Sequence, residues 1–155
     1  MPINSLTRRK YFQNSWDDKF TLIGIKENSP NMRIIIDWHR KFCTHFNLPF
    51  MMPEATAWLG FTYEGRLVAA VAEQLSNDRS QSTINALLAE PSRVGVAATY
   101  SFIKMYKDLL YNHEGPMKSL VMGIITKNKS ARRKIETVFQ VTEPFALVYL
   151  FDRSK

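Results

Sequence analysis

The stretch Ser92-Arg93-Val94-Gly95-Val96-Ala97 is where residue type and spacing point most directly to chemistry. It follows a β-prone run that ends at Glu90-Pro91 and opens a segment of helical periodicity, so its backbone N–H groups stand at a helix start. The first N–H groups of a helix have no intrahelical acceptor and carry partial positive charge, which suits a phosphate. Gly95 would let the backbone approach such a ligand, and the small Ala97 would keep that approach clear. The same residue types also serve plain chain reversal and close packing. His39 and Cys43, at i and i+4, could face a metal together, but no third ligand is evident. They read as core or surface residues, and no metal site is expected. A Gly-x-Ser-x-Gly elbow and a Walker-type loop are both missing.

A second cluster is basic. Lys127, Lys129, Arg132, Arg133 and Lys134 gather five positive charges around one helical segment. Through Arg132, Arg133 and Lys134 it could neutralise nucleic-acid phosphates, or it could meet an acidic protein or a cofactor phosphate. It could equally be a solvated helix face, with Arg132 and Glu136 paired at i, i+4. Arg8-Arg9-Lys10, followed by Tyr11, Phe12 and Trp16, gives residues 1–15 the character of an arm that either packs on its own domain or touches nucleic acid.

These residues need a scaffold, and hydrophobic periodicity supplies its outline. Phe20 to Lys26 is β-prone and is broken by Glu27-Asn28-Ser29-Pro30-Asn31. A helix follows over about Met32 to Phe46, with Ile35, Trp38, Phe42 and Phe46 as its expected buried stripe. Ala57 to Tyr63 and Arg66 to Gln74 form a hairpin about Glu64-Gly65. Ser82 to Ala89 alternates as a strand with Ile84, Ala86 and Leu88 on one face. Val94 to Tyr111 is a helix with Ala98, Phe102, Met105 and Leu109 as its stripe. Leu120 to Ile125 is apolar on both faces, as in a covered central strand. Lys129 to Val138 is a short helix with Ala131, Ile135 and Val138 inward, and Phe145 to Phe151 is the last strand. The strand, helix and strand from Ser82 to Ile125 imply a right-handed parallel crossover.

The chain has 155 residues, 45% hydrophobic and 23% charged, which fits one soluble domain over 1–155 with a core of ordinary size. No run is apolar and long enough for a membrane helix, and Met1 to Lys10 lacks a secretory core, so a cytoplasmic location is expected. Cys43 is the only cysteine, which excludes an internal disulfide. The net charge of +7 favours polyanionic partners without choosing among them.

The order of elements resembles the GNAT (GCN5-related N-acetyltransferase) family from Phe20 onward. The resemblance implies an α/β (α+β) fold: a mixed, mostly antiparallel sheet with a central parallel strand-helix-strand crossover and helices on both faces. In that family the turn after the fourth strand reads Gln/Arg-x-x-Gly-x-Gly/Ala and wraps the pyrophosphate of acetyl-CoA. Here Gly95 and Ala97 are in register, and Ser92 replaces the usual Gln or Arg. Asn128-Lys129-Ser130-Ala131 is similar to the family's Asn-x-x-Ala, whose Asn approaches the pantetheine arm. The Tyr that often serves as general acid in the last helix is replaced by Ile135. Val138-Phe139-Gln140 stands where Gly-Phe is usual. That ending, with Asn128-Lys129-Ser130, also resembles small GNAT-like internal virion proteins of podophages. This second resemblance implies a host-cytoplasm or virion location, a phage or host protein partner, and a fold that need not be catalytic.

For an active enzyme the resemblance implies acetyl transfer from acetyl-CoA to an amine. That reaction needs a base for the amine, donors for the developing oxyanion and an acid for the leaving thiolate. Glu73 and Glu90 are the candidate bases. Backbone N–H groups from Leu87 to Ala89, where strands of this family splay, are the candidate oxyanion donors. Tyr100 is the candidate acid. The cofactor set is Leu87, Ala89, Ser92, Arg93, Val94, Gly95, Val96, Ala97 and Asn128.

Overall fold

The computed structural model describes residues 17–112, 115–124, 127–140 and 148–152. After a 3-10 turn at Asp17–Lys19 the elements are β1 (Thr21–Ile25), α1 (Pro30–His45), β2 (Ala57–Tyr63), β3 (Arg66–Leu75), β4 (Gln81–Ala89), α2 (Arg93–Tyr111), β5 (Ser119–Gly123), α3 (Lys129–Phe139) and β6 (Val148–Asp152). Every element expected from the sequence is present in the expected order. The arm at 1–15 and the expected strand residues 145–147 lie outside the described residues. The six strands occur in the sheet in chain order. β1–β2, β2–β3 and β5–β6 are antiparallel, and β4–β5 is the parallel pair that the α2 crossover demands.

The chain divides into two compact units, one built from 17–74 and 85–99, the other from 75–84 and the described residues from 100 onward. β4 and α2 contribute to both. In the first unit, Glu64 and Gly65 both take positive φ, 50° and 80°, as a two-residue hairpin turn requires. The hairpin sets Tyr63 opposite Arg66, and Arg66 thereby begins β3. Met32 and Ile35 of α1 pack on Leu67, Ala70 and Leu88 of β3 and β4, with Ile23, Trp38, Phe42 and Trp58 partly buried around them. The stripe of α1 differs from the expected one: its buried residues are Met32, Ile35, His39 and Cys43. Trp38, Phe42 and Phe46 are only partly covered. The polar His39 can be buried because its Nε2 lies 2.7 Å from the Met51 carbonyl, the partner that an imidazole N–H needs away from water.

In the second unit, β4 pairs with β5 from Gln81↔Ser119 to Ile84↔Met122. Leu120 and Met122 are buried, as expected of a covered strand. α2 is buried around nearly its whole girth: Ser101 to Asp108 and Leu110 are all buried, Lys104, Lys107 and Asp108 included. Lys107 Nζ donates to the Val138 carbonyl at 2.7 Å, which satisfies one of the orphan carbonyls in the last turn of α3.

The turn into β4 is closed by Asp78. Its Oδ1 accepts from Ser80 N–H at 3.0 Å, Ser80 Oγ at 2.7 Å and Ser76 Oγ at 2.9 Å. These bonds, that from the Ser80 N–H foremost, lower its pKa from 3.8 to about 2. A carboxylate with a depressed folded value contributes stability above its unfolded pKa and loses it as pH falls through the folded one. The expected result is a carboxyl that stays ionised at pH 3 when followed by carbon NMR. A midpoint at the ordinary 3.8 would contradict these bonds.

Candidate cofactor-binding turn

β4 ends at Ala89 and α2 begins at Arg93, so Glu90-Pro91-Ser92 makes the whole connection. Its tightness comes from three backbone bonds. Glu90 N–H donates to Val68 O at 2.9 Å, Ser92 N–H to Glu90 O at 2.8 Å, and Val96 N–H to Ser92 O at 3.0 Å. Ser92 is the residue before the helix, and its Oγ accepts from Gly95 N–H at 3.0 Å, the ordinary action of a serine N-cap. The proton of that hydroxyl goes to Glu90 Oε2, 2.5 Å away. Glu90 is held in turn by Arg66, Nε to Oε1 at 3.0 Å and an Nη to Oε2 at 3.3 Å.

This arrangement assigns the four orphan donors at the start of α2, those of Ser92, Arg93, Val94 and Gly95, the first intrahelical bond being Val96 N–H to Ser92 O. Ser92 N–H is used by Glu90 O and Gly95 N–H by Ser92 Oγ. Arg93 N–H and Val94 N–H have no acceptor among the described residues. Two adjacent backbone donors at the positive end of a 19-residue helix are what a phosphate group accepts from. Arg93 and Val96 are exposed, Ser92 and Val94 half-buried, and Ala97 buried. Gly95 is buried, and a Cβ placed on it would overlap the Glu90 carbonyl oxygen and crowd that residue's C and N. The close approach that demands glycine is thus an approach to the chain's own backbone. Leu87 and Ala89, both half-buried, sit in the last three residues of β4, past the described register with β5.

The candidate acid–base residues have distinct surroundings. Glu90 has its pKa lowered, first by the Arg66 bond and then by the Ser92 bond. A carboxylate so engaged is a poor proton acceptor near neutrality. Glu73 is half-buried, opposite Ala57 in the β2–β3 ladder, and its carbonyl accepts from Thr56 N–H at 2.7 Å. Tyr100 belongs to the second unit, where Lys134 Nζ stands 5.9 Å from its ring centroid. Burial lowers the Lys134 pKa. Asn128 caps α3 by accepting from Ala131 N–H at 3.2 Å, so Asn-x-x-Ala here is a helix-capping unit. Ile135 is buried in the core, 4% exposed. Of the basic cluster, Arg132 reaches Glu136 at 3.9 Å and Lys134 lies against Tyr100, which leaves Lys127, Lys129 and Arg133 as its exposed members.

The structure joins Glu90, Ser92 and Gly95 into one hydrogen-bonded unit, and the sequence offered no sign that Arg66 completes it. Among the described residues no group of three or more His, Cys, Asp or Glu could hold a metal, and no helix is long and apolar enough to cross a membrane. No protein-family model matches the chain, and no curated protein is similar to it in sequence. Solved structures do resemble it. AAC(6')-Ib in complex with paromomycin and acetyl-CoA is 15% identical with a TM-score of 0.62, over 88% of this chain and 95% of that one. The aminoglycoside acetyltransferase AAC(6')-Ib with coenzyme A and kanamycin gives the same identity and TM-score over 87% and 95%. A possible acetyltransferase from Clostridium difficile 630 is 9% identical with a TM-score of 0.56, over 81% and 93%. The mixed, mostly antiparallel sheet with its single described parallel pair, matched along nearly the whole length of these acetyltransferases, is a GNAT-like fold.

Proposed function

We propose that the chain is an acyltransferase of GNAT type that takes acetyl-CoA at the N-terminus of α2 and passes its acetyl group to an amine. The observation that carries this reading is the pair of open donors, Arg93 N–H and Val94 N–H, directly after β4. The exposed Arg93 side chain adds a positive charge at the same helix end. The matched acetyltransferase structures hold acetyl-CoA or coenzyme A, which supports the choice of ligand. Asn128 belongs to the proposed cofactor set through the motif it shares with the family, and its capping bond leaves the amide Nδ2 as a donor.

Acetyl-CoA supplies an activated acetyl thioester when bound. The acceptor amine gains a C–N bond, the C–S bond breaks, one proton leaves the nitrogen and one is delivered to the sulfur. Backbone N–H groups from Leu87 to Ala89 would stabilise the developing oxyanion. Glu73 and Glu90 are the proposed bases, the Glu90 carboxylate being held by Arg66 and Ser92. The Tyr100 hydroxyl is the proposed proton donor to sulfur. A second reading, a silent GNAT-like domain that binds a protein partner such as a virion component, is favoured by one fact. Ile135, where the resemblance places the acid, is a core residue.

Two measurements separate these readings. A ligand that binds only the native state raises the melting temperature, by an amount equivalent to about 2.7 kcal/mol at a hundredfold excess over Kd. Arg93→Ala should keep most of the shift caused by acetyl-CoA. Arg93→Pro, which the first helical position tolerates but which deletes the N–H, should lose most of it. Equal shifts in the two variants would place the ligand elsewhere. Thiol release from acetyl-CoA with aminoglycosides or polyamines as acceptors then distinguishes the enzyme from the silent domain. A cofactor shift without turnover supports the silent reading.

A further inference from the structure

The Arg66–Glu90 pair stands in an unusual place for a surface ion pair. Glu90 Oε2 is 2.5 Å from Ser92 Oγ, which is itself 3.0 Å from the Gly95 N–H in the first turn of α2. A guanidinium, a carboxylate, a hydroxyl and a helix-terminal N–H therefore form one continuous chain. The carboxylate has two opposed effects on the helix start. It complements the partial positive charge, and so stabilises the helix. It also places a negative charge one hydroxyl away from the Gly95 N–H, at the same end of α2 as the two open donors, where it opposes an arriving anion. Arg66 reaches it bidentately from the start of β3, 24 residues away in sequence, and cancels that charge.

We propose that Arg66 and Glu90 are positioning residues that set the affinity of the α2 N-terminus for an anionic ligand, Glu90 lowering it and Arg66 restoring it. The inference rests on the reading that acetyl-CoA binds at this turn. It goes further by assigning a role to two side chains that need not touch the ligand. A purely structural bridge would behave differently, since breaking it from either side removes the same bond and moves every property in the same direction. An electrostatic role gives opposite signs.

The test is calorimetric titration of acetyl-CoA into the full chain at low ionic strength, with melting temperatures recorded to confirm folding. Glu90→Gln keeps an acceptor for Ser92 and removes the charge, and should tighten binding by about fivefold. Arg66→Gln leaves the carboxylate uncompensated and should weaken binding by about the same factor. Arg66→Lys should stay within about twofold of the parent, and the double variant Arg66→Gln/Glu90→Gln should return close to it. The differences should shrink at high salt, because both charges are reached by solvent, the Arg66 side chain being 49% and the Glu90 side chain 25% exposed. Two weakened single variants, or two unchanged ones, would overturn the proposal while leaving acetyl-CoA binding in place. No binding by the parent or by Glu90→Gln at millimolar acetyl-CoA would instead remove the cofactor reading, and the proposal with it.

Discussion

Gly95→Ala is expected to destabilise the chain by on the order of 3–5 kcal/mol, read as a fall in the denaturant midpoint at unchanged slope. The added methyl would occupy space already held by the Glu90 carbonyl oxygen. That carbonyl cannot retreat easily. It accepts from Ser92 N–H, the Glu90 N–H is fixed to Val68 in the sheet, and the Glu90 side chain is clamped by Arg66. Gly60 makes a useful comparison, because a Cβ there meets Leu67 Cδ1 at 2.5 Å and Ile25 Cδ1 at 2.7 Å, the ends of flexible side chains. Those can swing aside, so Gly60→Ala should cost no more than about 1–3 kcal/mol. A Gly95→Ala protein within about 1 kcal/mol of the parent would contradict the geometry of this turn. It also follows that loss of ligand binding in a Gly95 variant would report a disturbed fold. Arg93→Pro is the sharper probe of the same donors.

Phe102→Ala should cost a similar amount, about 3–5 kcal/mol, while Leu109→Ala should cost no more than about half of that in the same unfolding assay. Both residues lie on the stripe that helical periodicity assigns to the core. Phe102 is 1% exposed, whereas Leu109 is only half-buried. Comparable losses at the two positions would mean that the packing around α2 is not as described. Periodicity identifies one apolar face of a helix, but it has no means of registering that Ser101, Lys104, Lys107 and Asp108 on the other sides are covered as well. Burial of such residues depends on partners distant in sequence, as Lys107 shows by reaching Val138.

The same limit governs what could be read of the site. Ser92 through Ala97 was legible because a serine, a glycine and small residues after Pro91 announce a helix start, and helix starts have a fixed chemistry. The hairpin was legible because Glu64-Gly65 is a local instruction. Ser92 as the helix cap is also a local feature, since serine is a preferred N-cap residue. The commitment of Glu90 was not legible. Its partner Arg66 belongs to another strand, and only sheet formation brings the two together. Similarly, α1 buries His39 and Cys43 while Phe46 is only partly covered; His39 Nε2 finds the Met51 carbonyl at 2.7 Å, a partner outside the helix, and its Nδ1 is buried without one among the described residues.

On the proposed function, Arg93 N–H and Val94 N–H receive the phosphates of acetyl-CoA. Nitrogen–proton correlation spectra recorded during an acetyl-CoA titration test it residue by residue. The amide protons of Arg93 and Val94 should make the largest downfield moves, saturating with a single dissociation constant. Spectra unchanged at millimolar acetyl-CoA, or changes confined to the basic residues of α3, would contradict it.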